Sequence, residues 1–339
     1  MEDQATQLRR LMEGKYNNGA SLPKTMPNLG PVPETKTVAV EKEPLPVPEV
    51  KEEKEKKEEF IPRTAAEVPS YSRGTARTIA ITSGKGGVGK TNLAVNLAIA
   101  LGQLGQRVVI IDGDLGMANV DILLNTESKH SMMDLLRENV ALEDVIVRGP
   151  YGVSYISGGS GMEHAADTCT PQQRNYLFQK LAGCDEWADI ILVDTSAGIG
   201  QNVRDFITAA DEVVLITTPE PTAITDAYAM MKAYSTLSSK NNLKLVVNRV
   251  FDEKESKEVI GSLSQTARKF LNTRVDCVGY ILEDRNMLGA VRKRMPLLAM
   301  QPDSMAGKCI KSLAHNILED RHDKVQLGWQ GFLRKIFRF

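Results

Sequence analysis

Residues 84–91, Gly-Lys-Gly-Gly-Val-Gly-Lys-Thr, are the stretch of the chain best equipped for chemistry. Gly84, Gly86, Gly87 and Gly89 remove Cβ atoms from a short span around Val88. Consecutive backbone N–H groups can then curl around phosphate oxygens. Lys90 supplies a cation for the outer phosphates of a nucleotide, and the Thr91 hydroxyl is a hard oxygen ligand suited to Mg²⁺. Two carboxylates stand at matching positions further on: Asp112 ends the apolar run 108–111 and Asp194 ends the run 190–193. A polyphosphate, a divalent cation and acids at strand ends together suit phosphoryl transfer, which needs mainly positioning and charge stabilisation. Asp112 and Asp114 would also serve as caps of a turn or helix, the commoner task of an aspartate after a strand.

The elements around these residues support that reading. Ile79 to Ser83 reads as a strand feeding the glycine loop, and Asn92 to Leu104 as a helix leaving it. That order, strand, loop, helix, is what the P-loop pattern requires, and the helix N-terminus adds partial positive charge where phosphate would sit. Further apolar runs lie at Gly152–Ser157, Glu212–Thr217, Leu243–Asn248 and Cys277–Leu282, separated by helix-length segments. Uninterrupted Val/Ile/Leu runs mark strands covered on both faces. The predicted class is therefore α/β, a mostly parallel twisted sheet flanked by helices, with ligands at the carboxyl ends of its strands.

Composition divides the chain. Nine of the fifteen prolines lie before residue 70, and 51–59 is an almost purely charged run, so 15–76 reads as a disordered linker. The predicted organisation is a short helix at 1–14, that linker, a P-loop domain at 77–320, and a terminal amphipathic helix at 321–339. The formal net charge of −1 gives no global basic field, so no nucleic-acid partner is expected. The four cysteines form no Cys-x-x-Cys pair, which argues against a metal cluster and suits a reducing cytosol. No secretory signal opens the sequence and no apolar run is long enough to span a membrane.

Lys85, at the second position of the loop, is not required by a simple P-loop. With Lys90 and Thr91 it makes Lys-Gly-Gly-Val-Gly-Lys-Thr, which resembles the deviant Walker A motif of the MinD/ParA group of P-loop ATPases. The resemblance implies ATP and Mg²⁺ as ligands and a homodimer formed on ATP, in which Lys85 reaches the partner's nucleotide. It makes Lys85, Lys90 and Asp114 the catalytic set, with Asp114 positioning the attacking water. Thr91, Asp112 and Asp194 become the metal-linked set. It places Asn119, Asp121 and Glu220 near the dimer interface, Asp226 opposite the partner's nucleotide, and Asn248, Arg249, Glu283 and Asp284 around the adenine. Leu282 stands where many MinD relatives have proline. ATP rather than GTP follows from the resemblance and not from the residues.

The two ends add a narrower likeness. Asp3-Gln4-Ala5-x-x-Leu8-Arg9 resembles the start of the FlhG (YlxH) family, MinD-like ATPases of flagellated bacteria. That segment implies a partner, the signal-recognition-type GTPase FlhF, whose hydrolysis it stimulates; basal-body (C-ring) proteins are further partners of such a regulator. At the other end Trp329, Phe332, Leu333, Ile336 and Phe337 fall at helical spacing, with Arg334 and Lys335 between them. An apolar face beside cations suits a helix lying in an anionic lipid surface. The same stripe would suit a helix docked on its own domain; the free end and the cations favour lipid. The expected location is thus the cytoplasm, reversibly associated with the inner face of the membrane. A MinD-type division-site regulator and a ParA-like DNA partition ATPase are the competing readings, the first lacking the Asp-Gln-Ala start and the second needing a basic face on the core.

Overall fold

The structure, a computed structural model, describes residues 75–113, 119–158, 169–238, 243–319 and 327–338. Arg77–Ser83 (β1) runs into the glycine loop and Lys90–Gln103 (α1) leaves it. Val108–Gly113 (β2), Asn119–Leu124 (α2), Leu142–Val145 (α3), Val147–Arg148 (β3) and Ser154–Ser157 (β4) follow. Next come Pro171–Ala182 (α4), Ile190–Ala197 (β5), Gln201–Ala209 (α5) and Glu212–Thr217 (β6). Pro221–Leu237 (α6), Leu243–Val250 (β7), Glu253–Leu271 (α7) and Asp276–Leu282 (β8) continue the alternation. Arg285–Arg292 (α8), Leu297–Met300 (α9), Met305–Glu319 (α10) and Gly328–Ile336 (α11) close it.

Among the described residues the strands form one sheet in the order β3-β4-β2-β5-β1-β6-β7-β8, parallel except for β3 against β4. The α/β class and the parallel pairing agree with the pattern of apolar runs. Only the two-residue edge strand β3 had no signal in the sequence, being too short to show a period. Alternate strand residues point to opposite faces. Ile79, Ile81, Ile110, Leu192, Val214 and Ile216 pack in one cluster with Leu93, Leu97 and Leu101 of α1 and Ile310 and Leu313 of α10. Asp112 and Asp194 continue the Ile110 and Leu192 rows, so both carboxylates emerge on the α1 side of the sheet. They lie directly opposite each other in the β2–β5 register.

The other face is closed by the end of the chain. Helix α11 contacts α4, α5 and β1, filling the gap between the two helices. Trp329, Phe332, Leu333, Ile336 and Phe337 are all buried there, while Arg334 and Lys335 stay exposed. Of the two readings of this stripe, lipid-facing or docked on its own domain, this conformation has the docked one: the five apolar side chains are core. It also joins α11 to the same compact unit as the P-loop domain. The seating is specific as well as apolar. The Trp329 indole N–H donates to the Leu181 carbonyl at 2.6 Å, and the Trp329 amide donates to that of Ala76 at 2.8 Å. Asp211 accepts the amides of Leu327 and Gly328 on one carboxylate oxygen, and the amide and hydroxyl of Thr78 on the other. The physical reason is local: a sheet face over β1 left bare between α4 and α5 would expose apolar surface, and an amphipathic helix of matching length covers it.

Burying each of these large side chains contributes roughly 1.5–3 kcal/mol. Replacing Trp329 by alanine should therefore lower the unfolding free energy by about 3–5 kcal/mol, read from the urea midpoint of the full chain. A helix detached from the domain would show a change within about 0.5 kcal/mol.

Candidate functional site

The carboxyl ends of β1, β2, β5, β6 and β7 converge on the glycine loop. Two of its glycines are fixed by close approach. A Cβ on Gly84 would stand 2.2 Å from the Asp226 carbonyl oxygen of α6, and one on Gly89, at φ +97°, 2.5 Å from the Asn248 side-chain nitrogen. Around Gly86 and Gly87, by contrast, nothing lies within 4 Å of where a Cβ would be. The loop is thus held at both ends and open in the middle, as a cradle for an anion must be. Gly89 caps α1 in the left-handed region, so the α1 dipole opens onto the same space.

Lys90 turns under the loop and pairs with Asp194, Nζ to Oδ1 at 2.8 Å, with side-chain exposures of 7% and 0%. Asp112 is also buried and accepts the Val120 amide at 3.1 Å, which ties β2 to the start of α2. Asp112 and Asp194 are both buried and stand opposite each other across adjacent strands, with the Lys90 ammonium paired to Asp194. With the hydroxyl of Thr91, the residue after Lys90, they offer oxygen donors only. That chemistry fits Mg²⁺, which takes few protein oxygens and keeps the rest of its shell for phosphate and water.

A second row of charge crosses the mouth. Lys85 Nζ donates to Glu220 Oε2 at 3.1 Å and to Thr222 Oγ1 at 2.8 Å. The other oxygen of Glu220 lies 3.8 Å from Arg249 Nη1, and Arg249 Nε donates to Glu283 at 2.9 Å. Lys85, Glu220 and Arg249 have side chains 38–52% exposed, so each link contributes on the order of 1 kcal/mol or less and is readily exchanged. Arg249 is held at φ +59°, a conformation costly for a residue with a Cβ.

The structure therefore brings together Gly84, Lys85, Lys90, Thr91, Asp112, Asp194, Glu220, Asn248, Arg249 and Glu283, and gives several of them sharper tasks than the sequence did. Asn248 donates to the Val88 carbonyl at 2.8 Å, bracing the loop from the end of β7, and its Oδ1 accepts the Arg249 amide. Asp284 spends both oxygens on structure, capping α8 through the Asn286 amide and α10 through that of Ala306. Burial pushes its carboxyl up, but those amides, with the Asn286 and Ser304 side chains, together hold it below the ordinary carboxylate range. The cap is therefore intact above the unfolded chain's carboxylate range and is lost as pH falls through the lowered value. Asn119 opens α2 close behind Asp112, and the Asp121 carboxylate is bound to Ser128. Asp114 lies outside the described residues, as do Asp3, Gln4, Ala5, Leu8 and Arg9. Sequence reasoning missed Thr222, which nothing marks apart from its place in the first turn of α6. It also missed the Gly198 amide, which donates to the Ser83 carbonyl at 2.9 Å and couples the loop after Asp194 to the glycine loop.

Comparison with known proteins agrees with this geometry. Residues 74–318 match the family model ParA, described as NUBPL iron-transfer P-loop NTPase. The antiactivator FleN of Pseudomonas aeruginosa is 37% identical over 241 residues, 71% of this chain and 86% of that protein. The flagellum site-determining protein YlxH of Helicobacter pylori is 34% identical over 277 residues, 79% of this chain and 92% of that protein. Among solved structures, the MinD cell division protein of Aquifex aeolicus superposes with a TM-score of 0.57 at 25% identity, covering 73% of this chain and 98% of that one.

Replacing Asp112 by asparagine should remove the magnesium dependence of nucleotide binding while leaving the fold intact. Titration with a fluorescent ATP analogue, with and without EDTA, reads this directly. The parent should lose affinity at least tenfold on chelation and the variant little further.

Proposed function

Because the chain belongs to the MinD/ParA family of P-loop ATPases, we propose that it is an FlhG-type regulator of flagellar number and placement, controlled by ATP-dependent pairing of two copies. The observation that carries this is the position of Lys85. It leaves the glycine loop outward, toward Glu220 and Thr222, rather than into its own phosphate cradle.

ATP hydrolysis is the reaction of the family, and the residues here divide its work. Backbone amides of 84–91 and the Lys90 ammonium hold the phosphates, and Asn248 and Arg249 border the base. Thr91, Asp112 and Asp194 would hold Mg²⁺, whose charge would offset that of the phosphates. Asp114 follows Asp112 by two residues and is our candidate for orienting the attacking water. In the dimer Lys85 exchanges its exposed cis partners for the partner subunit's nucleotide. A charge pair at about 4 Å is worth roughly 1 kcal/mol in water and about 4 kcal/mol when partly shielded, so closing the interface favours the exchange. ATP occupancy then becomes the condition for pairing.

Pairing would in turn set membrane residence. A single short amphipathic helix binds lipid weakly, and two held in one dimer gain avidity without new contacts. The docked α11 fits a protein that is off the membrane until its partner and nucleotide are in place. The segment Asp3, Gln4, Ala5, Leu8 and Arg9 is our candidate for engaging and stimulating FlhF, with Gln4 reaching toward the partner's nucleotide. C-ring proteins are candidate partners of the core.

Vesicles containing phosphatidylglycerol test the scheme by co-sedimentation. With ATP the parent should sediment, and Arg334→Glu with Lys335→Glu, which keeps the five apolar side chains of α11, should stay in solution. Lys85→Ala should remain monomeric in ATP by light scattering. Asp114→Ala should persist as an ATP-loaded, lipid-bound dimer with hydrolysis reduced at least a hundredfold. ATP-independent sedimentation, or a Lys85→Ala protein that dimerises as the parent does, would overturn the reading.

A further inference from the structure

One side chain lies between the seat of α11 and the strand end that carries Asp112. Phe206, in the middle of α5, is 2% exposed. On one side its ring stacks on Phe332 of α11, with centroids 6.2 Å apart and planes at 12°, and Phe332 stacks in turn on Trp329 at 5.3 Å and 15°. On its other side the ring edge presses on β2. Its Cε2 lies 3.1 Å and its Cζ 3.6 Å from where a Cβ on Gly113 would stand, and the Asp194 carbonyl oxygen lies 3.1 Å from the same point. Gly113 is the residue between the metal-facing Asp112 and Asp114, and α5 is the helix that follows the loop after Asp194. The end of β2 therefore bears on the ring, and the ring bears on the tail.

We propose that Phe206 is a coupling residue that makes the seating of α11 depend on the occupancy of the nucleotide site. This rests on the reading above, that the tail leaves the domain in the ATP state, and names the side chain through which it is released. The geometry leaves little slack. A protein interior is close-packed, so a main-chain shift at Gly113 or a displacement of α5 cannot be absorbed without moving the ring. Phe332 and Trp329 then lose a stacked neighbour, and the tail's docked state is weakened relative to its released one. Helix α11, docked or free, is the two-state element that both sites bias, which is what coupling physically requires. The linkage is reciprocal: whatever factor ATP applies against docking, docking applies against ATP.

The experiment uses the full chain and Phe206→Leu, which keeps an apolar side chain under α11 but removes the ring that reaches both ways. Hydrogen exchange at residues 328–337 is measured without nucleotide and with a non-hydrolysable ATP analogue and Mg²⁺, and the analogue's affinity is titrated in parallel. In the parent, nucleotide should accelerate exchange in this helix by about 5- to 150-fold, the usual range of such couplings. In Phe206→Leu that nucleotide-dependent difference should fall below about twofold while the analogue binds more tightly, because binding no longer has to unseat the tail. A packing role alone would raise exchange equally with and without nucleotide. An equal nucleotide response in Phe206→Leu and parent overturns the proposal and leaves the proposed function standing. A parent with no nucleotide response at 328–337 overturns both. Should Phe206→Leu lose cooperative unfolding, Phe332→Leu, which breaks the same stack from the tail side, is read by the same criteria.

Discussion

The structure depends on one buried ion pair. Lys90 and Asp194 are almost wholly removed from water, and each would be intolerable there alone, since an uncompensated buried charge costs several kcal/mol. Their contact fixes the end of β5 against the glycine loop that leaves β1. With that distance set, Asp112 falls opposite Asp194 by strand register, and the pocket acquires its carboxylates without any further device. The sheet order serves this arrangement: β1 lies between β5 and β6, so the loop opens where strands from both halves of the sheet end.

Around that rigid centre the outer charges are held loosely. The series from Lys85 through Glu220 and Arg249 to Glu283 is made of exposed links, individually weak and open to salt. The contrast is functional. Lys90 and Asp194 are buried and paired, whereas Lys85, Glu220 and Arg249 are exposed and able to change partners at little cost. Fixing both sets firmly would give a nucleotide-binding protein unable to report what it had bound.

Much of this was legible in the sequence, for physical reasons. Residues 84–91 act through their own backbone, and strands covered on both faces need continuous apolar runs, so the loop, the parallel sheet and the acids at strand ends were written locally. What escaped depends on distant neighbours. Thr222 becomes a partner of Lys85 only because the sheet brings the start of α6 beside the loop. Asp284 reads as a ligand of the base, yet its oxygens are taken by two helix N-termini, one of them 22 residues away. The terminal helix is the plainest case. An amphipathic stripe specifies that something apolar must cover Trp329 and Phe332 but not whether lipid or protein does so. The groove that receives them is built from α4 and α5, whose convergence no local pattern announces.

The Asp211 carboxylate has a consequence for how the molecule is made. One of its oxygens fastens the start of β1 and the other fastens the start of α11, so the first strand of the domain and its last helix share a single anchor. The central strand can pair with its neighbours before residues 327–337 are made, but the sheet face over it stays uncovered until that segment joins the domain. Burial of that face therefore trails formation of the sheet. A chain truncated before Trp329 would leave the ribosome with an apolar trough along its middle, a ready substrate for chaperones and proteases.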